Sequence, residues 1–466
     1  MNRAPTAENL IELLGGAMER FIRRFNWSIL ILTAILVSCN GQANEIFPFK
    51  VNQVTLSNGL KVISISYDSP GVVAYLTIVR VGSRNEVEPG RTGYAHFFEH
   101  MMFRGTKKYP AQKYNEIYRQ LGAESNAFTS DDWTGYFAVA TSDALDKIVD
   151  LESDRFINLS YSEEAFKSEA GTILGEYHTE SSSPYMAMFE KLQETAFTKH
   201  TYEHTTMGYL KDIEDMPYHY DYSLKFFDRY YRPENCIIVI VGDFNQSKLI
   251  NLIKKHYDNW ESGAYKVEIP DEPPRTEEKK INISWENETL PFLLIGYHVP
   301  AFSDTNIDVA AIHLMSQLVF SSSSPLYRKL VIDEQKIEFL NAEFENHVDP
   351  FLFTIMTCIR NPEDIDGVRN DIYQALEKAK TETVSKDKLD NIKSHMEYSF
   401  AMGLNTPLGV GFALGQYLEL TGDKESLNRF YNLFDSVTPE DMQRVAKKYF
   451  TPNNRTIVTL TYGGER

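Results

Sequence analysis

Two hydrophobic rhythms alternate along the chain. Period-two alternation and short apolar runs mark strands, and apolar residues three and four apart mark helices. VNQVTLSNGLKVISI, from Val51, alternates on both sides of Asn58-Gly59, which predicts a hairpin turning at that dipeptide. VVAYLTIVRVGS, from Val72, is apolar nearly throughout and predicts a buried strand. A helix is expected over 94–104, after Gly93, and a second over AQKYNEIYRQL, stopped by Gly122. ESNAFTSDDWTGYFAVA predicts two strands around a polar turn at 130–132. Ser142 is expected to cap a helix running to Leu159, and a longer helix to span 162–180. A helix over 220–231 ends before Pro233, and CIIVIVGD follows as a strand. This half is mixed α and β.

The pattern then lapses. Residues 261–283 are polar and proline-containing, a linker by composition. LPFLLIGYHVP opens the second half with a strand. The halves end alike, as YYRPENCIIVIVGD from Tyr230 and YFTPNNRTIVTLTY from Tyr449. Pro233 and Asn235 thus recur as Pro452 and Asn454 at an offset of 219. A duplicated α/β unit is the expectation, with domains at 51–260 and 284–466. A chain of 466 residues accommodates two or three domains at ~100–200 residues each.

Composition adds exclusions. Hydrophobic residues are 42% and charged residues 24%, as in folded chains, and the net charge of −18 argues against nucleic-acid binding. That acidity also suits basic peptides. Three cysteines make no disulfide framework. Cys236 and Cys358 lie in apolar runs and read as buried hydrophobes. Cys39 instead ends the apolar stretch WSILILTAILVSC, which follows Arg20, Arg23 and Arg24. This is the order of a secretory signal, too short to span a membrane comfortably. LVSC resembles the bacterial lipoprotein box, so 1–38 reads as a signal peptide, with Met18 as an alternative start. Cys39 reads as a lipid anchor, 39–50 as a tether, and the mature chain as facing the periplasm in the cell envelope.

The main chemical signal is GYAHFFEHMMFRGT. His96 and His100 are four apart, which puts both imidazoles on one helix face within reach of one ion. Glu99 projects near that face without ligating easily alongside both, which suits a general base for a water held at the metal. This helix is apolar nearly all round, and buried His and Glu need partners, which a metal supplies. A catalytic zinc needs a third ligand. The helix 162–180 offers Glu169 and Glu176, seven apart on one face, and spacing alone does not choose between them.

HFFEH, followed 76 residues after His100 by Glu176, resembles the pitrilysin/insulinase family of inverted-motif zinc metallopeptidases. The resemblance is strong over about 50–250 and weaker beyond. It implies that His96, His100 and Glu176 hold one zinc per chain and that Glu99 is the base. It also implies that Glu169, seven before the third ligand, bonds a ligand histidine and supports catalysis. Asn126 and Ala127 fall on the strand that meets an extended substrate backbone. The implied fold is α+β, two homologous α/β-sandwich domains forming one half of a four-domain chamber, and the implied activity is hydrolysis of peptides.

One departure matters. Active members carry in the second half an Arg and, seven residues on, a Tyr that hold the substrate carbonyl. Here SSPLYRKLVIDEQKIEF puts Val331 and Glu338 at those positions, and neither can donate. A heterodimer with a homologous chain supplying the Arg–Tyr pair is therefore expected, a homodimer being the alternative. The rival reading is a non-catalytic peptide-binding or assembly subunit on the same fold. His200 and His204, also four apart, read as structural or wall-lining, and 321–324 as a loop.

Overall fold

A computed structural model describes residues 45–263 and 265–463. The leader 1–38, Cys39 and the tether up to residue 44 lie outside the described residues. Among the described residues no helix is long and apolar enough to cross a membrane.

The first half carries strands β1 (Asn52–Thr55), β2 (Lys61–Ser66), β3 (Val72–Val79), β4 (Glu124–Thr129), β5 (Thr134–Thr141) and β6 (Cys236–Gly242). Its helices are α1 (Tyr94–Met101), α2 (Ala111–Gln120), α3 (Leu145–Asn158), α4 (Glu163–Glu180), α5 (Pro184–Ala196), α6 (Leu210–Asp215), α7 (Tyr220–Tyr230) and α8 (Gln246–Tyr257). The second half has β7 (Lys279–Trp285), β8 (Phe292–Val299), β9 (Ile337–Glu343), β10 (Phe351–Ile359) and β11 (Arg455–Tyr462). Its helices of more than one turn are α9 (Ile307–Phe320), α10 (Ile365–Thr381), α11 (Lys386–Gly403), α12 (Pro407–Thr421), α13 (Ser426–Ser436) and α14 (Pro439–Tyr449).

Apart from β1, an extra edge strand of the first, the two sheets share one topology. The first runs β1-β2-β6-β3-β5-β4 and the second β7-β11-β8-β10-β9. In each, one parallel pair (β2 with β6, β7 with β11) is followed by antiparallel pairs only. The fold is thus α+β with two like domains. The repeated asparagines do one job twice. Asn235 Nδ2 donates to Tyr230 O (2.9 Å) and Arg80 O (3.2 Å), and Asn454 Nδ2 donates to Tyr449 O and His298 O, both at 2.7 Å. Each ties a helix end to the neighbouring strand. Asn454→Ala should therefore lower stability by ~1–3 kcal/mol by leaving carbonyls unpaired, read as a lower urea midpoint at unchanged slope.

Both faces of the first sheet are covered. Ile63, Leu76, Ile78 and Val239 face one core, and Val62, Tyr75, Ile238 and Ile240 the other. That is why CIIVIVG is apolar throughout rather than alternating. Each half also lends a helix to the other's sheet. From α5, Met188, Leu192 and Ala196 pack on Phe292, Leu294 and Leu460, while Val410 and Leu414 of α12 join the core of the first sheet. A Cβ on Gly415 would lie 3.3 Å from Leu76 Cδ2, so α12 lies directly on β3.

Four local expectations change. Ser142 does not cap: it opens a short 3-10 turn, and its buried hydroxyl has no hydrogen-bond partner among the described residues. The helix at 94 ends at Met101 and tightens to 3-10 over Met102–Arg104. Residues 279–283, read as linker, belong to β7, whose parallel pairing with β11 satisfies a backbone that its lysines disguised. At the end of the tether Phe47 is buried among second-half residues, and its N–H donates to Asn428 Oδ1 at 3.1 Å. Cys236 and Cys358 are free and buried, as expected.

Candidate active site

The start of α1 is built from a distance. Its N-cap, Gly93, has φ +86° and offers no side chain. Glu86 takes that role, accepting from the N–H groups of Gly93 and Ala95 at 2.7 Å each. A carboxylate suits the positive end of a helix. Thr92 Oγ1 donates to Asp212 and accepts from Tyr209 N–H, both at 2.8 Å. A Cβ on Gly93 would fall 2.4 Å from Ile213 Cδ1, and one on Gly208 (φ +76°) 2.7 Å from Gly93 N. The loop around Gly208 thus presses on the turn that aims His96.

On α1 the rings of His96 and His100 lie 4.9 Å apart between centroids, at 80°. Glu176, from α4, places Oε2 3.3 Å from His100 Nε2 and 3.8 Å from His96 Nε2. One ligating atom from each of the three lies within 4.8 Å of the others. Glu169, one face-repeat earlier on α4, reaches the other side of the ring, Oε1 to His100 Nδ1 at 3.0 Å. Arg104 pairs with its second oxygen. Glu99 lies beside this group and accepts from Thr129 Oγ1 at 2.7 Å. Thr129 ends β4, which also carries Asn126 and Ala127 on the edge of the first sheet. Asn126 Oδ1 accepts from Ala127 N–H at 2.9 Å.

Electrostatics separates the roles. Burial, with His100 beside it, brings His96 down to about 4 and keeps its ring neutral. Burial also pulls on His100, but hydrogen bonds to Glu169 and Glu176 outweigh it and lift it to about 9. Glu169 would be raised by burial, yet His100 and Arg104 hold it below the usual carboxylate range. The hydrogen bond with His100 likewise lowers Glu176. Burial pushes Glu99 up, partly offset by Thr129, which makes it a stronger base than a free carboxylate. Two imidazoles and one carboxylate converge here, a donor set that suits zinc.

Residues 61–209 match the family model described as Insulinase (Peptidase family M16), and 219–396 match that of the Peptidase M16 inactive domain. The chain belongs to the M16 peptidase family. The zinc protease PqqE of Helicobacter pylori is 28% identical over 445 residues, covering 93% of this chain and 97% of that protein. A crystal structure of a protease from Helicobacter pylori superposes with a TM-score of 0.83 at 29% identity, over 89% of this chain and 99% of that one. The periplasmic protease PqqL of Escherichia coli shares the fold (TM-score 0.73, 18% identity), and this M16 chain covers 47% of it.

The structure brings together His96, His100, Glu176, Glu169 and Glu99. Sequence reading missed Thr129 and Arg104. Arg104 stands four residues after His100, so helical spacing could have found it. Thr129 gave no signal, because its contact crosses 30 residues. His200 and His204 are buried: His200 Nε2 lies 3.0 Å from Asp349 Oδ2, and His204 Nδ1 3.0 Å from Thr205 O. Val331 packs against the second-half core, and Glu338, on β9, pairs with Arg360 at 3.2 Å. Ser324 caps the turn at Pro325–Tyr327.

Proposed function

We propose that this chain is a zinc-dependent endopeptidase or oligopeptidase, with His96, His100 and Glu176 as metal ligands and Glu99 as general base. The convergence of these four side chains, with Glu169 on the far nitrogen of His100, carries the reading. The M16 match and the zinc protease relative support it. Zinc supplies Lewis acidity toward a peptide carbonyl and lowers the pKa of water to ~7. Glu99 accepts a proton from the attacking water and delivers it to the leaving amine. Thr129 fixes one oxygen of that carboxylate. Glu169 and Arg104 hold the His100 ring in place. The edge of β4, at Asn126 and Ala127, offers backbone groups to an extended peptide.

The partner is part of the proposal. Neither Val331 nor Glu338 can donate to a developing oxyanion, so a homologous chain supplies the donors across a shared chamber. A chain of this length matching 47% of PqqL supports such pairing. The run before Cys39 supports export and lipid anchoring at the cell envelope, facing the periplasm.

Zinc analysis and hydrolysis of an internally quenched peptide test the reading together. One zinc per chain is expected, with chelation abolishing hydrolysis and zinc restoring it. A homologous chain without the HxxEH motif should raise turnover by ~10²–10³-fold, the usual worth of an oxyanion donor. Stoichiometric zinc with no hydrolysis, with or without that partner, would favour the binding-subunit reading.

A further inference from the structure

Equivalent hairpins of the two halves meet. Without β1, the order β2-β6-β3-β5-β4 of the first sheet matches β7-β11-β8-β10-β9 of the second, so β4–β5 and β9–β10 hold the same place in each. The turn after β4 is gripped first by its own half. Ser83 Oγ donates to Asp131 Oδ1 and Arg84 N–H to Asp131 O, both at 2.9 Å. A Cβ on Gly82 would lie 2.3 Å from the carbonyl oxygens of Ser130 and Asp131, so the turn packs directly on that backbone. From the other half, the loop 344–350 between β9 and β10 closes on it. His347 Nε2 lies 3.2 Å from Asp131 Oδ2, and Val348 N–H donates to Asp132 Oδ2 at 3.0 Å. The Tyr202 hydroxyl donates to the other oxygen of Asp132 at 2.6 Å.

His347 is placed to hold a carboxylate. It is buried, and its ring stacks on Phe351 with centroids 3.9 Å apart. Its second nitrogen, Nδ1, lies 3.1 Å from Glu345 O. A carboxylate and a carbonyl oxygen only accept, so satisfying both ring nitrogens needs a proton on each. Burial pulls the ring down, but the hydrogen bond to Asp131 and the charges of Asp132, Asp131 and Glu345 outweigh it and lift it to about 9. Asp131 and Asp132 face it from the turn, Glu345 from its own loop, and the Tyr202 ring lies 5.4 Å away between centroids. The turn so held leads straight to the reacting centre. Thr129 is two residues before Asp131, at most ~7 Å away, and donates to Glu99 at 2.7 Å. Behind it β4 pairs with β5 from Glu124 with Val139 to Thr129 with Thr134. Strand pairing thus fixes the edge, while its tip depends on the turn.

We propose that this contact is a clasp through which the second half sets the catalytic base: His347 is a positioning residue that holds the β4–β5 turn, and with it Thr129 and the Glu99 carboxylate. The clasp gives the second half a task in a reaction whose ligands, His96, His100 and Glu176, and whose base all lie in the first. It also carries a pH limit. The ring is charged and the clasp closed below about 9, and loss of the proton above that opens it. An unfolded histidine titrates near ~6.5. The stability this contact adds is therefore complete below that pH and lost as pH rises through about 9.

The proposal rests on the peptidase reading, and its test separates the two. His347→Leu removes both ring donors at similar volume, and His347→Gln restores one N–H toward Asp131. In His347→Leu kcat should fall ~10–100-fold, the cost of a misplaced catalytic group. KM should change less and zinc should stay bound, since β4 and the ligands keep their places. His347→Gln should recover most of kcat. A merely structural role would lower the urea midpoint and leave kcat of the folded protein alone. In Thr129→Val/His347→Leu the two losses should not add, because both reach Glu99 by one route. Unchanged kcat, or losses that add, overturns the clasp. In protein labelled on its threonine methyls, the Thr129 NMR signal, identified by its absence from Thr129→Val, reads the same route without turnover. It should shift in His347→Leu, return in His347→Gln, and in the wild type move with pH around about 9. If no peptide is cleaved, the peptidase reading falls and this signal decides: following both His347 and pH retains the clasp, and ignoring either one overturns it. The wild-type pH series decides alone if His347→Leu does not fold.

Discussion

Glu99→Gln is expected to keep zinc at one per chain and to lower kcat by ~10²–10⁴-fold. The amide has nearly the shape of the carboxylate, and its oxygen can still accept from Thr129 Oγ1. What it cannot do is take a proton. Glu99 is also outside the converging donor set of His96, His100 and Glu176. Losing its charge therefore leaves the ligands in place, and KM should change far less than kcat, since the interaction removed belongs to the transition state. Near-normal turnover in this variant would remove Glu99 from the chemistry, and loss of zinc would make it a ligand. Metal analysis on the protein used for kinetics reads both outcomes.

The site was legible in the sequence because its signals are local or periodic. The spacings of four from His96 to His100 and of seven from Glu169 to Glu176 are helical repeats, and a helix turns such spacing into a shared face. Spacing alone left Glu169 and Glu176 equivalent; the difference lies in which side of the His100 ring each approaches, a matter of how α4 packs on α1. The duplicated endings were legible for a related reason, since Asn235 and Asn454 bond the same helix-end carbonyl, Tyr230 O and Tyr449 O. The exchange of α5 and α12 between halves left no such trace. An apolar helix face states that it is buried, not on which sheet. β7 was hidden in the same way, because an edge strand with alternating exposure and charged residues resembles a linker in composition.

Replacing the two glutamates of α4 should split their roles. Glu176→Gln is expected to strip most of the zinc and all measurable hydrolysis with it. Its Oε2 faces the Nε2 atoms of both histidines, at 3.3 and 3.8 Å, so the substitution trades an anionic ligand for a neutral amide at the centre of the donor set. Glu169→Gln should keep zinc and weaken its affinity by ~10–100-fold, the usual cost of losing a partner behind a ligating histidine. Glu169 lies on His100 Nδ1 and is pinned by Arg104, so it orients the ring and cannot share an ion held at Nε2. Arg104→Ala should move affinity in the same direction as Glu169→Gln and by less, because the carboxylate keeps its bond to His100. Competition with a chromophoric chelator gives the zinc affinities, and metal analysis after dialysis gives the occupancies. Retained zinc in Glu176→Gln together with lost zinc in Glu169→Gln would exchange the two assignments. Equal losses in both would mean that the two carboxylates ligate together, a geometry that their approach to opposite nitrogens of His100 argues against.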